Sequence, residues 1–99
     1  MSDRPQPAIL RLHDESLDWR AVEGEVLALD LGSSEYLGVN RSGAVLWREL
    51  ASGSSRAGLI ERLMAETRIE TSRAEDDVDR FLAQLRARGL LGEEPEAAA

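Results

Sequence analysis

The chain has 99 residues, the length of one small domain, which leaves room for only a modest core and disfavours a large catalytic cleft. Its 19 acidic residues outnumber 12 basic ones, all arginine, for a net charge of -7. This balance disfavours a nucleic-acid partner, because a phosphate backbone is bound by clustered basic side chains.

The N-terminal segment, residues 1–7, contains Pro5 and Pro7 and is predicted to be extended or disordered. It lacks the apolar stretch of a signal peptide, and no later run is long enough to span a bilayer. We therefore expect a cytoplasmic protein without a membrane partner. The absence of cysteine suits a reducing compartment.

Alternation of apolar and polar residues then predicts a short strand at residues 9–12 and a meander of three longer strands. Glu23-Gly24 offers a two-residue turn for the first hairpin. The meander strands are predicted at residues 17–22, 25–31 and 35–39. The third meander strand should lie at an edge of the sheet.

From Asn40 onward the apolar period changes from two to nearly four, which predicts three helices. Either Asn40 or Ser42 is placed to cap the first helix, which should end near Ala51. A loop at residues 52–55 precedes the second helix. The third helix is predicted to begin with a capping box formed by Ser72 and Glu75 and to end at a glycine, Gly89.

These elements predict an α+β fold of the winged helix-turn-helix type, with a three-stranded antiparallel sheet followed by three α-helices. The folded domain is expected to cover residues 8–91. The acidic, alanine-ended segment over residues 92–99 is predicted to be a disordered tail.

Three segments carry a resemblance to a known family. They are Leu29-Asp30-Leu31-Gly32 leading to Tyr36, Val39-Asn40 with Gly43-Ala44 and Trp47, and Asp77-Val78 with Phe81-Leu82, Leu85 and Arg88-Gly89-Leu90-Leu91. In order and spacing, the chain resembles the PqqD-like family, also called RiPP recognition elements, over about residues 17 to 91. Val39 departs mildly from the leucine that is common in the family.

The resemblance implies a non-catalytic domain that binds the leader segment of a ribosomally made precursor peptide. The leader would add an antiparallel strand to the third meander strand and rest its side chains on the third helix. Edge strands capture peptides in this way, with backbone bonds supplying affinity and pockets supplying selection. The implied peptide-binding residues are Glu35, Tyr36, Leu37, Gly38, Val39, Asp77, Val78, Phe81, Gln84 and Leu85.

A free-standing chain of this size looks most like the lasso-peptide type, which works with a separate leader peptidase and indirectly with a cyclase. That resemblance suggests a leader with a Tyr-x-x-Pro motif, and an acidic groove would also accept a lysine-bearing leader. A PqqD-type peptide chaperone for a radical-SAM enzyme is the alternative within the family. A third hypothesis is a docking subunit that holds an enzyme partner and never contacts the precursor.

The residues themselves leave several roles open. Tyr36 could contact the leader or cover the sheet, and Phe81 could be core or pocket wall. A proline at Leu37 is expected to abolish strand addition by removing a ladder donor. The carboxylates of Glu75, Asp76, Asp77 and Asp79 could interact favourably with the macrodipole at the start of the helix or could bind basic leader residues. Arg73 and Arg80 could bind acidic leader residues.

Catalysis and cofactors are not expected. A serine nucleophile needs a positioned base, and His13 is the only histidine. One histidine without cysteine also supplies no recognisable metal site. A winged-helix DNA-binding regulator remains the rival from another class because the fold outline is shared, although the acidic start of the third helix opposes it.

Overall fold

Two separate antiparallel sheets and three helices make up residues 8–95, the part of the chain that the computed structural model describes. A short 3-10 turn at Asp14–Ser16 joins the first two strands. In chain order the elements are β1 (Ala8–Leu12), β2 (Leu17–Val22), β3 (Glu25–Asp30), β4 (Glu35–Val39), α1 (Arg41–Ser52), α2 (Arg56–Thr67), α3 (Thr71–Ala87) and β5 (Leu91–Pro95). The predicted α+β fold, with a three-stranded antiparallel sheet followed by three helices, is confirmed.

The larger sheet is a meander in the order β2-β3-β4. Glu23 and Gly24 form the first turn with φ values of 52° and 84°, as a type I′ hairpin requires. The second turn is held by Asp30, whose Oδ1 accepts hydrogen bonds from the amides of Gly32 at 3.0 Å and Ser33 at 3.4 Å. Among residues 8–95, β4 pairs with β3 alone, so it lies at an edge of the sheet as predicted.

The smaller sheet pairs the two ends of the described chain. β1 and β5 are antiparallel, with Ala8 opposite Pro95 and Leu12 opposite Leu91. The predicted disordered tail is therefore wrong for residues 92–95, which belong to a strand. Backbone pairing with β1 orders this polar segment, and such pairing leaves no apolar pattern in the sequence. Residues 1–7 and 96–99, also predicted to be disordered, lie outside the described residues.

A single residue, Asn40, connects β4 to α1. Its backbone is extended, and its Oδ1 accepts a hydrogen bond from the amide of Gly43 at 2.9 Å. Asn40 is therefore the N-cap, and Ser42 lies inside the first turn of the helix. Because β4 ends where α1 begins, the edge strand and this helix hold a fixed mutual position.

α2 and α3 are joined at the surface by an ion pair. Ser55 caps α2 through the amide of Gly58, at 3.0 Å. Arg56 then donates two hydrogen bonds to the carboxylate of Asp79 on α3, from Nε at 2.8 Å and from Nη2 at 2.9 Å. This bidentate contact lowers the pKa of Asp79 below its ordinary value and raises the pKa of Arg56.

α3 begins earlier than the sequence predicted. Its N-cap is Glu70, which makes no side-chain capping bond, and Ser72 already lies in the first turn. The Ser72 hydroxyl donates to Glu70 Oε1 at 3.2 Å, so the predicted capping box of Ser72 and Glu75 is wrong. The helix ends as expected before Gly89, which adopts a φ of 71°.

The core lies between the helices and the inner face of the meander. Trp47 is fully buried, and the half-buried Trp19 of β2 packs against it edge to face, with ring centroids 5.8 Å apart. The largest fully buried side chains are Trp47, Leu46, Leu50, Leu59, Leu63, Leu85, Leu90 and Val78. Packing of α1 and α3 into one core fixes the position of α3 relative to β4, which is joined directly to α1.

Candidate functional site

A groove of about 670 Å³ runs between β4 and α3. β4 forms one wall, a stripe of α3 side chains forms the other, and buried side chains of α1 and α2 form the floor. The lining residues are Tyr36, Leu37, Gly38, Val39, Asn40, Ser42, Gly43, Leu46, Trp47, Leu63, Arg73, Asp77, Arg80, Phe81, Gln84, Leu85 and Arg88. An open strand edge therefore lies beside a partly apolar groove.

The backbone of β4 presents two residues to this open edge. In the two-residue hairpin, Val22 and Glu25 form a hydrogen-bonded pair, and such pairs alternate along an antiparallel ladder. β3 residues that bond to β2 thus alternate with those that bond to β4. The register then directs the N–H and C=O groups of Leu37 toward β3 and those of Tyr36 and Gly38 outward.

This alternation corrects one expectation drawn from the sequence. The amide of Leu37 belongs to the ladder between β3 and β4, so a proline there would break the sheet itself. Gly38 offers the outward donor instead. A Cβ built on Gly38 would meet no atom of the described residues within 4 Å, so these residues leave the strand edge sterically open at this position.

Eight of the ten predicted site residues line the groove. They are Tyr36, Leu37, Gly38, Val39, Asp77, Phe81, Gln84 and Leu85. Glu35 is the first residue of β4, and its carboxylate is 3.6 Å from Nη1 of Arg88. Val78 lies in the core with no exposed surface, because it shares the inward stripe of α3 with Ala74 and Leu82.

Phe81 is both a core neighbour and a groove wall. Its ring is half-buried, packs on the core and lines the groove, so the two readings of the sequence hold together. Gly43 makes this contact possible. A Cβ at that position would lie 3.2 Å from Cε1 of Phe81 and 2.6 Å from Cγ1 of Val39. The glycine therefore lets α1 approach both walls of the groove.

The ring of Tyr36 does not cover the core. Its side chain alternates with the inward-facing Leu37 and Val39, and Tyr36 is 69% exposed. It borders a shallow hollow on the outer face of the sheet, together with Val22 and Leu27. The structure thus offers the backbone of Tyr36 to the groove side and its ring to the outer face.

The charge of the groove differs from that of the whole chain. The lining contains three arginines, Arg73, Arg80 and Arg88, and one acid, Asp77. The expected acidic groove is therefore wrong, although the chain carries a net charge of -7. Helical geometry explains the difference, because residues 73, 77, 80 and 84 share one face of α3, with Arg88 just after its last residue, and the remaining acids of the helix point elsewhere.

Sequence reasoning did not place several floor residues in the site. Asn40, Ser42 and Gly43 line the groove because α1 begins beside it, and Leu46, Trp47 and Leu63 reach it from below. The sequence held one sign of this close approach, which is a glycine at position 43, inside a helix that an alanine would favour more.

Other site types find no support within residues 8–95. No group of three or more His, Cys, Asp or Glu side chains is arranged to hold a metal ion there. None of the helices in this range has the length and apolar character needed to cross a membrane.

Comparisons with known proteins agree with this architecture. The family model described as coenzyme PQQ synthesis protein D (PqqD) matches residues 25–91. This match covers more than half of the chain, and the chain therefore belongs to the PqqD family. No curated protein sequence matches it.

Two solved structures are similar to the chain. One is described as TbiB1 in complex with the TbiA(beta) leader peptide. It has a TM-score of 0.75 and 25% sequence identity, and the match covers 90% of this chain and 98% of that one. The other is a lasso peptide synthetase B1 complexed with the leader peptide, with a TM-score of 0.72, 25% identity and coverage of 84% and 96%.

Proposed function

We propose that this protein binds the leader segment of a ribosomally synthesised precursor peptide, of the lasso-peptide class, by strand addition to β4. The observation that carries the proposal is the open edge of β4, with the outward backbone groups of Tyr36 and Gly38 beside a groove of about 670 Å³. The PqqD family match and the two similar proteins, whose structures contain leader peptides, support the same role.

The geometry suits an extended peptide. Arg88, after the end of α3, lies beside Glu35, the first residue of β4. Phe81, seven residues earlier, lies beside Gly43, which also adjoins Val39, the last residue of β4. α3 therefore runs in the direction opposite to β4. A strand added antiparallel to β4 would therefore run parallel to α3. Its backbone would bond to the edge, and alternate side chains would face the stripe from Asp77 to Leu85.

In this proposal the protein contributes binding and performs no chemistry of its own. A bound leader places the following segment of the precursor at a high local concentration for a leader peptidase that docks on the complex, and for a cyclase acting afterwards. No cofactor takes part in this role. Delivery to a radical-SAM enzyme is the alternative within the family, and the groove would bind its peptide in the same way.

The proposal is tested by titrating the purified protein against a fluorescent synthetic leader from a precursor encoded beside its gene. A scrambled leader and a DNA duplex serve as controls. We expect saturable binding of the leader alone, with a Kd in the micromolar range or below. Equal binding of the scrambled peptide would refute leader recognition, and binding of the duplex alone would favour a DNA-binding regulator.

A further inference from the structure

Two arginines of the groove, Arg73 and Arg80, are less neutralised than Arg56, which has a carboxylate of its own. Arg73 and Arg80 both approach the single carboxylate of Asp77, at 3.7 Å and 3.9 Å. Both distances exceed hydrogen-bond length. Arg56, by contrast, makes two hydrogen bonds of 2.8 Å and 2.9 Å to its own carboxylate.

The two groove arginines are also accessible. The side chains of Arg73 and Arg80 are 70% and 71% exposed, whereas that of Asp77 is 28% exposed. Two guanidinium groups thus share one recessed carboxylate and keep most of their N–H donors directed at solvent. A guanidinium fork matches a peptide carboxylate in geometry, and such charge-assisted bonds are stronger than neutral ones.

We propose that the groove selects peptides with acidic side chains, whose carboxylates bind Arg73 and Arg80 on the rim of α3. This inference rests on the proposed peptide-binding function and adds the chemical class of the peptide. It reverses the expectation from net charge, because the local surface at the groove is basic.

The spacing along α3 sets where the acids should lie. Arg73 and Arg80 are seven residues apart, which is about 10 Å along a helix axis. In an extended strand, side chains on the same face lie about 7 Å apart at every second residue and about 13 Å apart at every fourth. The arginine side chains are flexible enough to make up the difference between the spacing of about 10 Å on α3 and either spacing on the strand. We therefore expect Asp or Glu at positions i and i+2, or i and i+4, of the peptide.

The experiment is an affinity selection on the full chain with a random library of 12-residue peptides. The wild-type protein is compared with Arg73→Gln/Arg80→Gln and with a matched control, Arg20→Gln/Arg48→Gln, which removes two exposed arginines outside the groove. Both double variants change the net charge equally. Circular dichroism checks that all three proteins fold alike.

We expect the wild type and the matched control to enrich peptides with paired acids, and the groove variant to lose this preference. The strongest selected peptide should bind about 3- to 10-fold more weakly to the groove variant, the size expected of two partly exposed ion pairs. Replacing its acids with amides should weaken binding to the wild type by a similar factor and leave the groove variant unaffected.

The outcomes separate this inference from the function on which it rests. Enrichment of peptides without an acid preference, or with one that the groove variant retains, would overturn the inference and leave peptide binding intact. No enrichment of any peptide would overturn both. Saturable binding of a DNA duplex that is lost only in the groove variant would assign the arginines to phosphates instead.

Discussion

Replacing Gly38 with proline tests strand addition at one atom. The outward N–H of Gly38 is one of four backbone groups that β4 offers through Tyr36 and Gly38, according to the register of the meander. Proline removes this donor and places its ring at the open edge. It leaves the ladder between β3 and β4 intact, because the bonds to β3 come from the neighbouring residues.

The magnitude follows from the cost of an unmade hydrogen bond. A carbonyl of the added strand would lose its partner, which costs about 1–3 kcal/mol, and the proline ring would hinder close pairing. Peptide binding should therefore weaken at least about 10-fold, as measured by fluorescence anisotropy with the synthetic leader. The matched control is Gly38→Ala, which adds a Cβ in open space but keeps the N–H.

Comparison of the two variants decides whether a peptide pairs with the edge of β4. Gly38→Ala should bind within about twofold of the wild type, since its Cβ meets no atom of residues 8–95 within 4 Å. Both variants should keep the circular dichroism spectrum of the parent. A folded Gly38→Pro variant that binds as tightly as Gly38→Ala would refute the pairing of a peptide with this edge.

Three further substitutions test the walls of the groove and the link between α2 and α3. Phe81→Ala should weaken leader binding about 10-fold, by loss of about 1.5 kcal/mol of apolar contact, and an unchanged Kd would remove the ring from the site. Gly43→Ala should lower the free energy of unfolding in urea by about 1–3 kcal/mol, because the Cβ would lie 2.6 Å from Cγ1 of Val39; a stabilised variant would contradict this packing. Asp79→Asn should destabilise the protein by less than about 1 kcal/mol at neutral pH, since Arg56 and Asp79 are half exposed. Because the ion pair lowers the pKa of Asp79, its contribution is present above the ordinary carboxyl pKa and is lost as the pH falls through the lowered value, so thermal unfolding of variant and parent should converge in acid.

Local patterns were sufficient to predict most of the fold. The alternation around Trp19 and the Glu23-Gly24 turn specify the first hairpin, and the same signals place β4 at an edge. The change of period at Asn40 marks the start of α1 to within one residue. These features depend on residues that are near neighbours in the chain, which is why the sequence alone reveals them.

The errors concern features that depend on distant or competing contacts. β5 has a polar sequence and is ordered by pairing with β1 at the other end of the chain. The capping box failed because α3 starts at Thr71, which moves Ser72 inside the helix. In both cases the local sequence does not contain the contact that decides the structure.

The sequence predicted where the groove lies but not the sign of its charge. The edge strand and the stripe through Asp77 and Phe81 do meet across one groove. Val78 was misplaced because one residue along a helix turns a side chain by about 100°, enough to move it from groove to core. The basic rim was missed because net charge averages over the surface, whereas Arg73 and Arg80 act only where α3 brings them together.

The pairing of β1 with β5 also determines how this domain can be attached to other proteins. Ala8 and Pro95 are register partners, so the chain enters and leaves the described fold at one place. A short peptide could join these two points, and new ends could be opened at the Glu23-Gly24 turn, where Glu23 is exposed, without cutting a helix. By the same geometry, a second domain inserted into or fused with this chain at either end would be anchored at the same point of the molecule.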